Sequence, residues 1–278
     1  MVVPNPGHVS PWARRFILKR LMPVVRVLFR PTISGLEHLP ADRPFLLVAN
    51  HSAGMGLAEI FSFVSLYARD VPPERPLAGF AHHMGFKIWP LKAIHPHIGT
   101  IPSTYEAAYD ALDKGVPILV FPGGDHETLR PIWQAGRVDF GGRKGFLRIA
   151  RQAGVPIVPM GITGSHFTAP ILLRSRALAT VLVVPRLMGL KRWGVSLLAV
   201  LGTGALALTP LPVWVKVPAI FLWLSSPLTF APIIPWTIRF KVGQPIEPQT
   251  LFPGDEADDE ELTQALAEVQ RAIQRLVG

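Results

Sequence analysis

Residues 44–56 read Pro-Phe-Leu-Leu-Val-Ala-Asn-His-Ser-Ala-Gly-Met-Gly, and this stretch decides the fold of the chain. Residues 44–49 form an apolar run of strand length, which is typical of a strand buried on both faces of a sheet. Small and polar residues end the run, and a helical pattern follows from about Gly56 to Arg69. A buried strand that leads directly into a helix indicates a βα unit.

The alternation of strands and helices continues along the chain. Further strands are predicted at residues 77–80, 116–121, 155–162 and 237–242. Helices are predicted from Ser103, which opens a capping box with Glu106, to Lys114, and from Arg143 to Ala153, with Gly154 just past the end. A last helix carries its apolar face from Leu262 to Leu276. This order predicts an α/β domain with a mixed, largely parallel sheet flanked by helices.

The composition excludes several classes of protein. Of the 278 residues 49% are apolar and 17% are charged, which is the opposite of the pattern of a disordered chain. The sequence contains no cysteine, so disulfide frameworks, thiolate metal sites and cysteine nucleophiles are impossible.

The net charge of +9 is unevenly distributed. Residues 253–278 carry seven acids and two bases, a net of −5, so residues 1–252 carry +14. The acidic run 255–261 lies at the start of the last helix, where the helix dipole favours negative charge. A basic, apolar body with few charges favours an anionic membrane surface as partner, and we expect no nucleic acid, because no nucleic-acid motif is present.

Residues 1–33 are predicted to form an amphipathic helix in a membrane interface, bent near Pro23. Four bases share one stripe at helical spacing: Arg15, Lys19, Arg26 and Arg30. The opposite face carries apolar residues: Ile17, Leu18, Leu21, Met22, Val24, Val25, Leu28 and Phe29. The alternative is a basic helix that packs on its own domain.

Residues 34–278 are predicted to form one domain that contains an apolar lobe at 193–236. Residues 193–215 form an uncharged run of 23 residues, which is long enough to cross a bilayer but rich in Gly, Pro and Thr. A spanning helix, a re-entrant hairpin, an interfacial lobe and a buried core segment all fit this pattern. We expect the protein at the cytoplasmic face of the cell membrane, either peripheral or with a short inserted segment.

Two loops that follow predicted strands carry the candidate chemistry. In the first, Asn50, His51 and Ser52 follow the strand at 44–49, and His51 is a candidate general base with Glu59 as the nearest acid downstream. The second loop begins at Phe121, and its glycines allow close approach of a ligand to the backbone. It contains these candidate binding residues: Pro122, Gly123, Gly124, Asp125, Glu127 and Arg130. Arg143 and Lys144 precede a helix and are candidates for binding phosphate.

The two loops together resemble the motifs of the glycerolipid (lysophospholipid) acyltransferase superfamily. Asn50-His51 resembles its first block and Phe-Pro-Gly-Gly at 121–124 its third, while 98–103 and 155–159 resemble the second and fourth. The resemblance covers residues 34 to 165 and extends to 240–248. It implies an acyltransferase-type fold, with Gly99 and Ile101 of the second block near substrate.

The same resemblance implies transfer of a fatty acyl group from acyl-CoA or acyl carrier protein to a glycerolipid or other lipid hydroxyl. His51 would deprotonate the hydroxyl, and the enzyme would be an O-acyltransferase of phospholipid or glycerolipid biosynthesis. We expect no cofactor besides this co-substrate and no metal, since the pairs His82-His83 and His95/His97 lack accompanying carboxylates at zinc-site spacing.

The chain departs from the superfamily pattern at two blocks. Gly56 stands where an Asp is usual in the superfamily. An acid eight residues after the histidine resembles instead a bacterial branch that is related to diacylglycerol acyltransferases. Glu59 is therefore the expected partner of His51, with Asp125 or Glu127 as alternatives. The arginines usual in the second and third blocks are missing, which favours a neutral or weakly anionic acceptor. Arg130 or Arg143-Lys144 could instead restore phosphate binding. A catalytically silent lipid-binding relative and a hydrolase are the alternative functions.

Overall fold

A computed structural model describes residues 5–52, 54–81, 83–87, 89–254 and 259–278. In chain order the strands are β1 (Thr32–Ser34), β2 (Leu46–Ala49), β3 (Ala78–Ala81), β4 (Thr100–Pro102), β5 (Ile118–Val120), β6 (Ile157–Thr163), β7 (Ile171–Ser175), β8 (Trp193–Ser196) and β9 (Arg239–Val242). The first helices are α1 (Pro11–Phe16), α2 (Met22–Phe29), α3 (Leu57–Asp70), α4 (Leu91–Ile94), α5 (Tyr105–Asp113), α6 (Asp125–Thr128) and α7 (Gly145–Ala153). The remaining helices are α8 (Arg176–Val181), α9 (Val184–Leu187), α10 (Leu197–Ala207), α11 (Val213–Ser225), α12 (Pro248–Leu251) and α13 (Asp259–Val277).

The main sheet has seven strands in the order β1-β9-β6-β2-β5-β3-β4. Strands β6, β2, β5, β3 and β4 run parallel, and β9 runs antiparallel to β6. The predicted α/β fold with a mixed, largely parallel sheet is therefore confirmed. The apolar runs that predict β2, β5 and β6 are buried because helices cover both faces of the sheet.

One local prediction differs from the structure, and two others fall wholly or partly outside the described residues. The capping residue of α5 is Thr104, whose side chain accepts a hydrogen bond from the Ala107 amide, and not Ser103. The prediction of a capping box was wrong by one residue because adjacent Ser and Thr can both cap a helix. The acidic run 255–261 lies partly outside the described residues, as does His82 of the first histidine pair.

The N-terminal helical segment packs on the domain through its apolar face. Ile17, Met22, Val25 and Phe29 are buried, the last three of them in the core on the α3 side of the sheet. A π-helical turn, Ile17–Leu21, ends two residues before Pro23, which cannot donate the hydrogen bond that a regular helix needs there. This packing is the alternative stated above, a basic helix docked on its own domain.

The outward side of the same segment remains partly apolar, with exposed Trp12, Phe16, Val24 and Val27 among the bases. Arg14 is turned inward instead, and its guanidinium donates to the carbonyl oxygens of Ala68 and Val71 at the end of α3.

The apolar lobe consists of several short elements. Strand β8 pairs with β7 in a separate antiparallel sheet, and α10 and α11 follow as a hairpin of two helices. The uncharged run 193–215 is therefore divided among a strand, a helix and the start of a second helix. In the part of the chain that the structure describes, no helix combines the length and apolarity needed to cross a membrane.

Candidate active site

Three loops meet at one edge of the sheet because the strands before them are parallel neighbours. Residues 50–52 follow β2, residues 121–125 follow β5 and residues 164–166 follow β6. Ligands bind at this edge in open α/β sheets, since the carboxyl ends of the strands leave a crevice there. The two loops that the sequence singles out therefore lie side by side.

His51 and Glu59 are in direct contact. Glu59 lies in the first turn of α3 and is fully buried, and its Oε1 accepts a hydrogen bond from His51 Nδ1. The same carboxylate accepts hydrogen bonds from the amide and the hydroxyl of Ser52, both at 3.0 Å. The Ser165 hydroxyl lies in turn against that of Ser52. The carboxylate is thus held in one place by three donors.

This contact decides which nitrogen of His51 is available to a substrate. A carboxylate can only accept, so Nδ1 carries the hydrogen and Nε2 is the basic nitrogen. The imidazole stacks on Phe121, with ring centroids 4.3 Å apart, and its side chain is only 10% exposed. An oriented histidine with a buried carboxylate behind it can take a proton from a hydroxyl and hold the resulting charge.

The geometry also explains why Gly56 replaces the usual acid. Gly56 adopts the left-handed conformation, with φ of +72°, and a Cβ placed on it would lie 2.0 Å from His51 Cε1. No side chain fits at this position while the imidazole is where it is. Glu59 supplies the carboxylate from one helical turn further on.

Glu127 supports His51 from the second loop without being its ring partner. Its Oε2 accepts a hydrogen bond from the His51 backbone amide at 3.0 Å, and Oε1 accepts from Arg130 and from the Asp139 amide, both at 3.1 Å. Glu127 and Arg130 are almost completely buried. Burial raises the pKa of Glu127 to about 7, against the opposing effect of Arg130 and the two amide donors. Glu127 and Arg130 are therefore internal supports and not the substrate contacts that we expected.

The paired glycines make room for side chains and not only for a ligand. A Cβ on Gly123 would lie 2.2 Å from the Glu127 carboxylate, and one on Gly124 would lie 2.6 Å from Arg143 Nη1. The Gly124 amide closes a turn onto the Phe121 carbonyl. Arg143 donates to the carbonyl oxygens of Pro122 and Gly123 and pairs with Asp125, so it fixes the shape of this loop.

Several other predicted residues serve the scaffold. The Asn50 side chain bridges β2 and β6, because its amide donates to the Ile162 carbonyl and its oxygen accepts from the Ile162 amide. Lys144 is tied to α13 through Asp259 and Thr263. Ile101 of β4 is buried in the core.

Gly99 directly precedes β4, and a Cβ on Gly99 would lie 3.0 Å from the Gly7 carbonyl oxygen. Strands β5 and β3 separate β4 from the His51 strand. The structure therefore places neither Gly99 nor Ile101 beside His51.

A small cavity of about 160 Å³ lies beside His51. Its lining combines His51, Gly124 and Asp125 with residues that the sequence does not single out: Thr128, Leu129, Leu190 and Trp193. The Oδ2 atom of Asp125 is buried there and has no hydrogen-bond partner among the described residues.

Ser165 and His166 were also missed by the sequence reasoning. Both are buried, and burial lowers the pKa of His166 to about 4. The signal that could have found them is their position directly after β6, next to β2. Among the described residues, no group of three or more His, Asp and Glu is arranged to hold a metal ion.

A His–Glu pair at the carboxyl edge of a mostly parallel sheet, with a glycine loop beside it, is the arrangement that the resemblance to acyltransferases implies. A family model described as Acyltransferase matches residues 30–163. Residues 30–163 thus match the acyltransferase family, and the predicted resemblance to the lysophospholipid acyltransferase superfamily is confirmed.

Individual proteins are also similar to this chain. An uncharacterized protein of Mycobacterium tuberculosis is 30% identical over 184 residues, which cover 66% of this chain and 49% of that protein. A chicken protein described as a DGAT1/2-independent enzyme synthesizing storage lipids is 35% identical over 128 residues, which cover 46% of this chain and 37% of that protein. The chain thus spans about half or less of these relatives.

A solved structure shares the fold. The crystal structure of the 1-acyl-sn-glycerophosphate (LPA) acyltransferase PlsC from Thermotoga maritima has a TM-score of 0.50 to this chain. The two chains are 20% identical in sequence, and the superposition covers 95% of this chain and 81% of the PlsC chain. At this identity the likeness concerns the fold alone.

Proposed function

We propose that the protein transfers a fatty acyl group from acyl-CoA or acyl carrier protein to a lipid hydroxyl in glycerolipid or phospholipid synthesis. The observation that carries this proposal is the contact between His51 Nδ1 and the buried carboxylate of Glu59. Family membership supplies the reaction class, and the contact supplies a competent base on this chain.

The reaction would proceed without a covalent enzyme intermediate. The acceptor hydroxyl gives its proton to His51 Nε2 while its oxygen attacks the carbonyl carbon of the thioester. The tetrahedral intermediate then collapses, the carbon–sulfur bond breaks, and the proton on Nε2 passes to the departing thiolate. Glu59 stabilises the imidazolium that exists between these steps.

The proposed acceptor is neutral or weakly anionic at its reacting end. Two of the three bases that could replace the missing arginines are occupied elsewhere, because Arg130 is buried against Glu127 and Lys144 is bound to α13. A storage-lipid enzyme among the relatives is in keeping with a neutral acceptor.

We also propose that the protein binds the cytoplasmic face of an anionic membrane. The α10–α11 hairpin exposes large apolar side chains, among them Leu208, Val213 and Trp214, which are 72–88% exposed. Exposed apolar patches of this kind mark interaction surfaces, and lipid acceptors reside in membranes. The bases on the outward side of the N-terminal helix would add attraction to anionic lipid.

The decisive experiment compares the wild-type protein with His51→Ala in a radiolabelled acyl-CoA assay on lipid vesicles. We expect lysophosphatidate to be a poorer acceptor than diacylglycerol, and we expect the variant to be inactive but folded. A variant that keeps most of its activity would refute the base assignment, and a strong preference for lysophosphatidate would refute the neutral acceptor. Lipid binding without release of CoA would favour the alternative function, a catalytically silent relative that binds lipid.

A further inference from the structure

Three arginines from three different segments lie near Asp125, two of them at ion-pair distance from its carboxylate. Arg143 precedes α7, Arg174 lies in β7 and Arg192 directly precedes β8. Arg143 pairs with Oδ1 of Asp125, and Arg192 Nη1 lies 4.0 Å from Oδ2. Arg174 joins the cluster through a hydrogen bond to the carbonyl oxygen of His126, the next residue along the chain.

The hydrogen-bonding capacity of Arg174 and Arg192 is largely unused, whereas Arg143 is bound to the glycine loop and to Asp125. A guanidinium has five N–H donors, and within the described chain Arg174 donates only to the His126 carbonyl. Arg192 has Asp125 at ion-pair distance and no hydrogen bond to any described residue. The side chain of Arg192 is 21% exposed, so it is partly withdrawn from water as well.

Other carboxylates nearby do not accept hydrogen bonds from Arg174 or Arg192. Glu127 is bound by Arg130, and the Oδ atoms of Asp139 accept from His126 and the Gly141 amide. Burial lowers the pKa of Arg174, and the positive charge of Arg192 lowers it further. The arginines therefore repel each other, and a bound anion would relieve that repulsion.

The cluster adjoins the cavity beside His51. Asp125 lines that cavity, and so do Leu190 and Trp193, which flank Arg192 in sequence. A group held by the arginines would thus belong to a molecule that also reaches the proposed base. The residues matched by the family model end at 163, so Arg174 and Arg192 lie outside them.

We propose that Arg174 and Arg192, together with Arg143, form a binding subsite for the phosphate group of a substrate. The subsite rests on the proposed function, since it assigns the phosphate to one of the two substrates of acyl transfer. Guanidiniums suit this ligand because they bind phosphate oxygens through paired N–H donors. The phosphate comes either from the acyl donor, as in CoA and the phosphopantetheine arm, or from the head group of the acceptor.

Direct binding tests the subsite independently of catalysis. Isothermal titration calorimetry with pyrophosphate and with CoA would compare the wild type with Arg174→Gln, Arg192→Gln and Arg176→Gln. Arg176 is the matched control, because it is exposed at the start of α8 just after the same strand. We expect each of the first two variants to weaken binding about tenfold or more, and the control to leave it unchanged. Equal affinity in all four proteins, or no binding to the wild type, would overturn the subsite.

Steady-state kinetics assigns the phosphate to its source. The donors would be acyl-CoA and the same acyl group on pantetheine, which has no phosphate, and the acceptors would be lysophosphatidate and monoacylglycerol. If the phosphate is the donor's, Arg192→Gln raises the KM for acyl-CoA and leaves that for acyl-pantetheine unchanged. If it is the acceptor's, the variant affects lysophosphatidate alone, and the proposed preference for a neutral acceptor is wrong.

The phosphate-free substrates also control for folding. A misfolded variant loses activity with every substrate pair, including acyl-pantetheine with monoacylglycerol, whereas a variant that lacks only the subsite keeps activity with that pair. A wild type that binds CoA but transfers no acyl group would refute the proposed function and leave the subsite standing. Unchanged KM values in both arms would refute the subsite while leaving the acyltransferase proposal intact.

Discussion

At the scale of single residues, the hydrogen bond between His51 and Glu59 carries the proposed chemistry. Glu59→Gln removes the negative charge that would stabilise the imidazolium, while the side chain keeps its size. We expect kcat to fall by about 10²–10⁴-fold, the range in which proton transfer contributes to catalysis. Thiol release from acyl-CoA measures this rate, and Glu74→Gln, an exposed acid on a turn, serves as control. A loss of less than fivefold would assign Glu59 to structure only.

Restoring the usual superfamily acid at position 56 should inactivate the protein. In Gly56→Asp the new Cβ would lie 2.0 Å from His51 Cε1, so the imidazole would be displaced from Glu59. The matched control is Gly115→Asp, because Gly115 also has a positive φ, +75°, but open space around its Cβ position. Both variants carry the same backbone strain, so only the first should lose acyl transfer. Equal losses in the two variants would show that strain, and not the clash, is responsible.

Glu127 should give the protein a measurable pH dependence of stability. Its pKa is raised by burial to about 7, from an ordinary value of 4.5. Between these two pH values the unfolded chain has released the proton and the folded chain retains it. The free energy of unfolding therefore falls as pH rises from 4.5 to 7, by up to about 3 kcal/mol from this group.

Urea unfolding of the wild type and Glu127→Gln at pH 5 and pH 8 isolates this contribution. Because His166, with a pKa lowered to about 4, acts in the opposite direction below pH 6.5, the difference between the two proteins is the relevant quantity. We expect the variant to gain stability relative to the wild type on going from pH 5 to pH 8. An identical pH profile in the two proteins would mean that Glu127 is ionised throughout this range.

At the scale of elements, the α10–α11 hairpin depends on one close approach. The Trp223 indole lies against Gly202, where a Cβ would come within 2.4 Å of the ring, and its Nε1 donates to the Ala199 carbonyl. Gly202→Leu should separate the two helices and lower stability by about 1–3 kcal/mol.

Gly204 provides the control for this prediction, because it lies in the same helix with nothing within 4 Å of its Cβ position. Gly204→Leu should be neutral or stabilising by up to about 1 kcal/mol, since leucine favours the helix more than glycine does. Thermal unfolding, followed by tryptophan fluorescence, distinguishes the two. A similar melting temperature in both variants would indicate that the hairpin adapts to the larger side chain.

The elements that the sequence predicts well are those whose surroundings are uniform. Strands β2, β5 and β6 are buried on both faces, so their apolar runs identify them from sequence alone. The lobe is different, because the 23-residue run 193–215 has one composition but is divided by local turns into β8, α10 and the start of α11. Hydropathy could not reveal that division, since the residues are apolar in both arrangements.

The site shows the same limit. Loop positions after parallel strands brought His51 and the glycine loop together, and the spacing to Glu59 agreed with the first helical turn of α3. The roles of Glu127 and Arg130 could not be predicted, because burial and hydrogen-bond partners depend on packing between distant segments. Arg174 and Arg192 were missed for that reason too, since the pairing of β7 with β8 brings them to His126 and Asp125 only in the folded chain.

At the scale of the whole molecule, the exposed apolar hairpin should determine membrane binding. Trp214 and Leu208 are 78% and 88% exposed, and burying such side chains in a bilayer interface stabilises the bound state by about 1.5–3 kcal/mol each. The double variant Leu208→Glu/Trp214→Glu should therefore lose most of its binding to phosphatidylcholine vesicles that contain phosphatidylglycerol, measured by flotation. Trp133→Glu, which changes a tryptophan outside the hairpin that is 68% exposed, should bind as the wild type does.

The bases on the outward side of the N-terminal helix should contribute a separate, salt-sensitive part of this binding. Lys19→Gln/Arg26→Gln removes two charges worth about 1 kcal/mol each near an anionic surface, and that attraction is screened by salt. We expect this variant to bind less well only at low ionic strength and only to anionic vesicles. The hairpin variant should instead be impaired on anionic and neutral vesicles alike, because burial of apolar surface does not depend on lipid charge. If both variants bind vesicles as well as the wild type does under all conditions, neither surface contacts lipid. The acceptor must then be delivered to the site from solution.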